Sequence, residues 1–338
     1  MQQELAAIPI TFKALLVEKK NETELTRQIT ELPIADLPAG EILIQVHYSS
    51  LNYKDALSAM GNPGVTKKFP HIPGIDAAGT VITSRASQFQ VGDSVMVTGF
   101  DLGMNTWGGF AEYIQVPSDW VLPLPKAITL RESMILGTSG LAAALCTEAL
   151  IRNGIDPAQG EILVTGSTGG VGSLAVSILA KLGYTIVAVT GKLTHHEYLH
   201  ALGATTVISR EAATDQSDKP LLKERWAGVV DTVGGNILAT AIKSTRYGGC
   251  VTACGLVSGP DLVTTVYPFI LRGVCLSGID SARCPLPTRQ TLWEKLATDW
   301  KPPNLEAIAT TINLSQLSTA IDTLLKGQSV GRVVVTPI

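Results

Sequence analysis

Ile162-Leu163-Val164-Thr165-Gly166-Ser167-Thr168-Gly169-Gly170-Val171-Gly172-Ser173 runs from an apolar strand through a glycine-rich turn into a helix. Glycines in such a turn let the backbone fold sharply and approach a pyrophosphate, while the first N–H groups of the following helix face the phosphates. The spacing is Gly166-x-x-Gly169-Gly170-x-Gly172 rather than G-x-G-x-x-G. The strand–turn–helix setting therefore carries the reading more than the spacing does. Gly169, Gly170, Val171, Gly172 and Ser173 are the candidate residues for the phosphates. Outward from the turn, short apolar strands alternate with helices. Strands are expected at 161–165, 185–190, 206–209, 228–232, 250–254 and 274–278, and helices at 170–182, 197–202, 236–245 and 268–272. This alternation predicts an α/β fold, a doubly wound parallel sheet covered on both faces.

The end of the second strand distinguishes the coenzymes. A site for NAD places a carboxylate there, bonded to the ribose hydroxyls. Here Val187-Ala188-Val189 leads into Thr190-Gly191-Lys192, and no acid follows. A hydroxyl, a small residue and a cation suit a 2′-phosphate, and Arg210 follows the third strand at the adjacent position. The expected cofactor is NADPH. Just beyond lies His196-Glu197-Tyr198-Leu199-His200, which matches the HExxH pattern of zinc proteases. Its context opposes that reading: the helix is a connector in a nucleotide fold, and no third ligand follows at a recognised spacing. His47 and His71 are isolated and read as packed or capping residues.

Upstream, residues 13–130 read as β-rich, with strands expected at 13–20, 41–51, 76–83, 94–98 and 110–116 and one short helix from Tyr53 to Gly61. Residues 131–151 are Ala- and Leu-rich with helical spacing. Downstream, Pro285 and Pro287 mark an exit loop, followed by helices at 292–299 and 315–326 and a last strand at 332–336. That strand cannot extend the parallel sheet without a crossover of its own, so it is expected to return to the β-rich part. The domains are then 1–131 with 281–338, and 132–280. The 338-residue length suits two domains at ~100–200 residues each. With 26 basic and 29 acidic residues, net charge −3, there is no basic excess for nucleic acid or an anionic membrane. The most apolar stretch, 134–151, carries Thr138, Ser139, Thr147 and Glu148, against a membrane span. Gln2-Gln3-Glu4 begins no signal segment. The five cysteines (Cys146, Cys250, Cys254, Cys275, Cys284) are odd in number, form no CxxC, and read as reduced core thiols in a cytoplasmic protein.

Several segments together resemble the medium-chain dehydrogenase/reductases: Ser50-Leu51-Asn52-Tyr53-Lys54-Asp55, Ile72-Pro73-Gly74-Ile75-Asp76-Ala77-Ala78-Gly79, Val91-Gly92-Asp93 and Gly108-Gly109-Phe110-Ala111-Glu112. Within that superfamily, Trp226-Ala227-Gly228, Asp231-Thr232-Val233-Gly234, Tyr247-Gly248-Gly249-Cys250, Ala253-Cys254-Gly255-Leu256 and Pro268-Phe269-Ile270-Leu271-Arg272 are similar to the acrylyl-CoA reductase group, often called quinone oxidoreductase-like. The resemblance implies a GroES-like β-rich catalytic domain beside a Rossmann domain. Zinc alcohol dehydrogenases of the superfamily carry a Cys where Asn52 stands and Gly-His-Glu where Pro73-Gly74-Ile75 stands, so no metal is expected. Without a Lewis acid to polarise an alcohol oxygen, the fitting chemistry is hydride addition to a C=C bond conjugated to a carbonyl. The resemblance points to acrylyl-CoA reduced to propanoyl-CoA. A broad NADPH quinone or enone reductase is the alternative, and a non-catalytic NADPH-binding protein a third reading. Tyr53 is the candidate donor to the thioester oxygen or proton source, Asn52 a second donor, and Asp55 an orienting group or relay member. Leu256 is expected at the nicotinamide and Arg332 at the cofactor or an anionic substrate group. The last nucleotide-domain strand, 274–278, would be an open edge, which relatives use for a two-fold dimer; a homodimer is expected.

Overall fold

The computed structural model describes residues 8–21 and 24–337; Gln2-Gln3-Glu4 lies outside them. The chain divides into two units, residues 1–138 with 309–338 and residues 139–308.

The first unit begins with a hairpin, β1 (Thr11–Lys19) and β2 (Leu25–Pro33), paired antiparallel. There follow β3 (Ile42–Leu51), α1 (Tyr53–Ala59), β4 (Asp76–Ser84), β5 (Ser94–Thr98), β6 (Tyr113–Val116) and β7 (Leu122–Pro123). β3 is the spine: it pairs antiparallel with both β4 and β6. Its alternate residues Ile42, Ile44 and Val46 are fully buried with Val81, Val95, Val97 and Ile114 in one core cluster. Leu43 and Leu51 join a second core with Phe12, Leu15, Phe110 and Leu317. This is the period-two segregation of side chains along a strand.

α2 (Leu130–Arg152) leads out of this unit, but it is not continuous: Gly137 has φ 50° and ψ −154°, outside any helix. Only glycine occupies that region without strain. By length and composition α2 could cross a membrane, yet 78% of its apolar window is buried in the protein, and Gly137 interrupts it.

The second unit holds β8 (Glu161–Val164), α3 (Gly170–Lys181), β9 (Thr185–Thr190), α4 (His196–Ala201), β10 (Thr206–Ser209), β11 (Trp226–Asp231), α5 (Gly235–Ser244), β12 (Thr245–Ala253), α6 (Tyr267–Arg272), β13 (Cys275–Gly278) and α7 (Leu286–Ala297). The six strands form one parallel sheet in the order β10-β9-β8-β11-β12-β13. The order reverses between β8 and β11, the two strands nearest the centre. β11 is buried at all six positions and β8 at three of four, the mark of strands covered on both faces.

Two expectations at the far boundary need correction. Pro285 and Pro287 do not mark an exit loop: α7 starts at Leu286, and Pro287 occupies its first turn, where a missing N–H costs nothing. Residues 281–308 accordingly belong to the second unit, with α7 tied there by a 2.7 Å ion pair from Lys295 to Glu148. The chain returns to the first unit only with β14 (Ala309–Asn313), α8 (Leu314–Leu325) and β15 (Arg332–Thr336). β15 pairs antiparallel with β3 and parallel with β14, so the last strand does lie in the β-rich unit. β2, β7 and β14 are strands that sequence patterning did not indicate. β2 has no fully buried position and carries polar residues on most positions, which erases an apolar alternation.

A Cβ at Gly137 would stand 2.5 Å from Asp76 Oδ2, 2.8 Å from Ser50 Oγ and 3.0 Å from Arg332 Nη2. Gly137→Ala is expected to destabilise the protein by about 2–4 kcal/mol, from backbone strain plus overpacking. Denaturant unfolding of the variant beside the wild type measures this.

Candidate active site

The turn from β3 into α1 is where the polar chemistry of the first unit concentrates. Asn52, in extended conformation, ends the strand and caps the helix, and Asp55 returns the interaction in a capping box. Asp55 Oδ2 accepts from the Asn52 backbone N–H at 2.8 Å, and Oδ1 accepts from the Ile75 N–H at 2.8 Å. The Asn52 amide donates to Asp76 Oδ2 at 2.9 Å and accepts from Arg332 Nη1 at 3.1 Å. Asp76 also receives the Ser50 hydroxyl at 2.7 Å, the Thr138 hydroxyl at 2.6 Å and the Thr138 N–H at 3.0 Å. Thr138 directly follows the break at Gly137. Asp76 thus satisfies a backbone donor that the interrupted helix leaves free.

Arg332 stands at the head of β15 and is 2% exposed. Its Nε donates to Ile135 O at 2.9 Å, Nη1 to Leu51 O at 3.1 Å, and Nη2 to the Ser50 hydroxyl at 2.8 Å; the Asp76 carboxylate lies 3.9 Å away. Arg332 is expected at the cofactor or an anionic substrate group; these donors are spent on oxygens of its own unit. A buried guanidinium must have its donors satisfied, and here backbone and side-chain oxygens of the same unit do so. Asn52 is likewise committed within the network rather than offered as a free donor.

The network holds one cation and two carboxylates. Asp76 takes the closer place to Arg332. Asp55 is fully buried, and burial together with the neighbouring Asp76 pushes its pKa up to about 7, against the pull of its hydrogen bonds from Asn52 and Ile75. Tyr53 differs from all of these. It opens α1, is half-buried, and its hydroxyl bonds to no other described residue. It is the polar group that this framework leaves available for a ligand.

In the second unit, β8 passes through Thr165 into Gly166, whose φ is 59°. The Gly169 N–H donates to Gly166 O at 2.9 Å, which closes the turn. Gly169 caps α3 without a side chain, and of the first-turn residues Gly170 and Val171 are half-buried and Gly172 is buried. A Cβ on Gly172 would overlap the Gly166 carbonyl and lie 2.7 Å from Ser167 Cα, so only glycine allows helix and turn to pack this closely. Ser173 is buried and donates inward to Gly169 O at 2.7 Å; it supports the turn from behind.

At the end of β9, Thr190 Oγ1 accepts the Lys192 N–H at 3.0 Å. The Arg210 guanidinium lies against Gly191, where a Cβ would be 2.7 Å from its Nε. Burial and the adjacent Arg210 charge lower the Lys192 pKa. Two cations thus meet at one strand end, as an anion site requires. Leu256, in the loop after β12, is 59% exposed. In the HExxH segment α4 has six residues and His200 Nδ1 pairs with Ala204 O at 2.8 Å. His71, buried, pairs with Gly103 O at 2.9 Å, and His47 with Thr80 Oγ1 at 3.2 Å.

Residues 38–126 match the alcohol dehydrogenase GroES-like domain family, and residues 170–298 the zinc-binding dehydrogenase family. The acrylyl-CoA reductase AcuI of Ruegeria pomeroyi is 44% identical over 325 residues, covering 96% of this chain and 98% of that protein. YhfP of Bacillus subtilis, named as a quinone oxidoreductase, has the same identity and coverage; its structure, solved with NAD bound, superposes with a TM-score of 0.93. The structure of YhdH from E. coli K-12 with bound NADPH gives a TM-score of 0.93 at 44% identity, covering 96% of this chain and 99% of that one.

The second family's name implies zinc, but these residues do not fit it. Asn52, Gly74 and Ile75 offer no thiolate or imidazole, Asp55 and Asp76 are engaged in the network, and the Arg332 cation stands beside Asp76. Among the described residues no three of His, Cys, Asp and Glu converge to hold a metal.

The raised pKa of Asp55 makes a pH prediction. The folded state keeps this proton from 3.8, the unfolded value, up to about 7, so Asp55's contribution to stability is full below pH 4 and is lost as pH rises through 7. Asp55→Asn should flatten the decline in unfolding free energy between about pH 4 and 7 relative to wild type, read from denaturant titrations across that range.

Proposed function

The chain belongs to the medium-chain dehydrogenase/reductases, in their acrylyl-CoA reductase-like group, and on that premise we propose that it reduces the C=C bond of a 2-enoyl-CoA with NADPH, acrylyl-CoA to propanoyl-CoA above all. The observation that carries this is Tyr53: a half-buried phenol without a partner among the described residues, at the head of α1 where the capping box fixes the turn. NADPH supplies the hydride that adds to the β-carbon. Charge then develops on the thioester oxygen as an enolate, and the Tyr53 hydroxyl is the donor that stabilises it or delivers the proton to the α-carbon. Asn52, Asp55, Asp76 and Arg332 act as positioning residues that hold Tyr53 and the β3–α1 turn rigid. No metal is required, because the developing charge rests on an oxygen that a hydrogen-bond donor serves.

The coenzyme binds the α3 turn through the N–H groups at Gly170, Val171 and Gly172, with Gly169, whose own N–H closes the turn, leaving room for the phosphates. Thr190, Gly191, Lys192 and Arg210 form the seat of its 2′-phosphate. The absence of a carboxylate after β9 and the Arg210 guanidinium on Gly191 support NADPH over NADH. Leu256 borders the nicotinamide. The second reading is a quinone or enone reductase, favoured by the name of YhfP. The same phenol would polarise a quinone carbonyl.

A substrate panel separates the readings. NADPH oxidation is measured with acrylyl-CoA, crotonyl-CoA, a small enone and simple quinones. Acrylyl-CoA is expected to be turned over most efficiently; turnover of quinones alone reverses the reading. Tyr53→Phe should lower kcat about 100-fold, and Arg210→Ala should narrow the preference for NADPH over NADH about tenfold.

We place the enzyme in the cytoplasm as a homodimer. Its five cysteines are free. Burial and Cys275 push the Cys250 thiol up to about 12, as for an unreactive core thiol. β13 closes the sheet with a partner on one side only, and exposed Val263, Val266, Ile270 and Leu271 precede it. Light scattering should give twice the 35.7 kDa chain mass; a mass of one chain overturns the dimer.

A further inference from the structure

A carboxylate without a part in the proposed chemistry sits under the coenzyme turn. Asp231 closes β11 and is fully buried. β11 lies beside β8 with Val230 opposite Val164, so Asp231 is level with Thr165, where the strand order reverses. Ligands of doubly wound sheets bind at the carboxyl ends of the strands at this reversal. Asp231 Oδ1 accepts the Thr165 hydroxyl at 2.7 Å, and Oδ2 accepts the Gly234 N–H at 2.7 Å. Thr165 Oγ1 in turn accepts the Thr232 N–H at 3.0 Å, and the Thr232 hydroxyl donates to Thr165 O at 2.8 Å.

A third segment joins the same knot. The Asp231 carbonyl accepts the Cys254 N–H at 3.0 Å, and Val233 O accepts the Ser258 N–H at 2.7 Å. The packing leaves no slack: a Cβ on Gly234 would stand 2.7 Å from Gly259 O, and one on Gly166 would overlap the Thr232 hydroxyl. Residues 165–169 and 232–235 are therefore locked in register through one side chain and the threonine it holds, and 254–259 is tied to 231–233 through main-chain bonds. The first of these is the phosphate turn and the third carries Leu256.

We infer that Asp231, acting through Thr165, is a positioning residue for the coenzyme, setting the phosphate turn against the loop that follows β11. This rests on the reading that the 165–173 turn binds NADPH. Burial raises the Asp231 pKa and the hydrogen bonds from Thr165, Gly234 and Val233 oppose that rise, so the carboxylate depends on the donors it organises.

The test uses the full chain. NADPH dissociation constants come from fluorescence titration, steady-state kinetics give KM and kcat, and melting without coenzyme reports stability. Thr165→Val keeps the side chain's shape but removes both hydroxyl bonds; Thr165→Ser restores them; Asp231→Asn keeps a single acceptor oxygen for the donors that meet the carboxylate. Thr165→Val and Asp231→Asn are expected to raise the NADPH Kd and KM about tenfold with far less change in kcat, and Thr165→Ser to stay within about twofold of wild type. If Asp231→Asn does not fold, the Thr165 pair decides alone. A Thr165→Val protein that melts lower but binds NADPH as wild type does would show support of the fold only, and overturns the inference. A wild type that fails to bind NADPH defeats the coenzyme reading and this inference with it, whereas a wild type that binds NADPH beside variants that bind it equally well defeats the inference alone.

Discussion

A buried guanidinium imposes the strictest demand in the β-rich unit. Arg332 is nearly the last residue of the chain to enter a strand, yet its charge is enclosed among residues from three other segments: the end of β3, the start of β4 and the break in α2. Removing one partner of such a buried network leaves an uncompensated charge, which costs about 3–5 kcal/mol. The segments must therefore sit where they do for Arg332 to be tolerated at all. The Gly137 break, the Asp76 position and the capping box of α1 are solutions to one electrostatic problem.

That solution also sorts the polar residues by role. Asn52, Asp55, Asp76 and Arg332 spend their hydrogen bonds on one another and on backbone. Tyr53, the first helical residue after them, spends none within the described residues. The surplus carboxylate is accommodated by a shifted proton: one cation cannot neutralise both acids, and the buried Asp55 holds its proton toward neutral pH.

In the nucleotide unit the organising device is steric rather than ionic. Gly166, Gly172 and Gly234 stand where a Cβ would strike neighbouring backbone or a threonine hydroxyl. Close approach of three loops follows, and it brings first-turn N–H groups of α3 and the Lys192–Arg210 pair to the same ends of the strands. The local sequence of the second unit was accordingly legible. Alternation of apolar strands and helices is a short-range pattern, and most of these elements fall within a few residues of expectation; α7, begun six residues earlier than its apolar spacing suggested, is the exception. The missing acid after β9 was equally readable, since a single strand end contains that information.

Residues 162–173 by themselves determined a strand, a glycine turn and a helix, and Asn52-Tyr53-Lys54-Asp55 determined a capped helix start, because both depend on contacts only a few residues apart. Tertiary structure alone decided that Asp76, Ser50 and Thr138 join Asn52, and that Arg332 faces inward to them. The Asn52–Asp76 and Ser50–Arg332 contacts span 24 and 282 positions, and the pairings of β3 with β4 and with β15 bring them together. Periodicity can say that a residue is buried in a strand, but not which distant charge will be buried beside it.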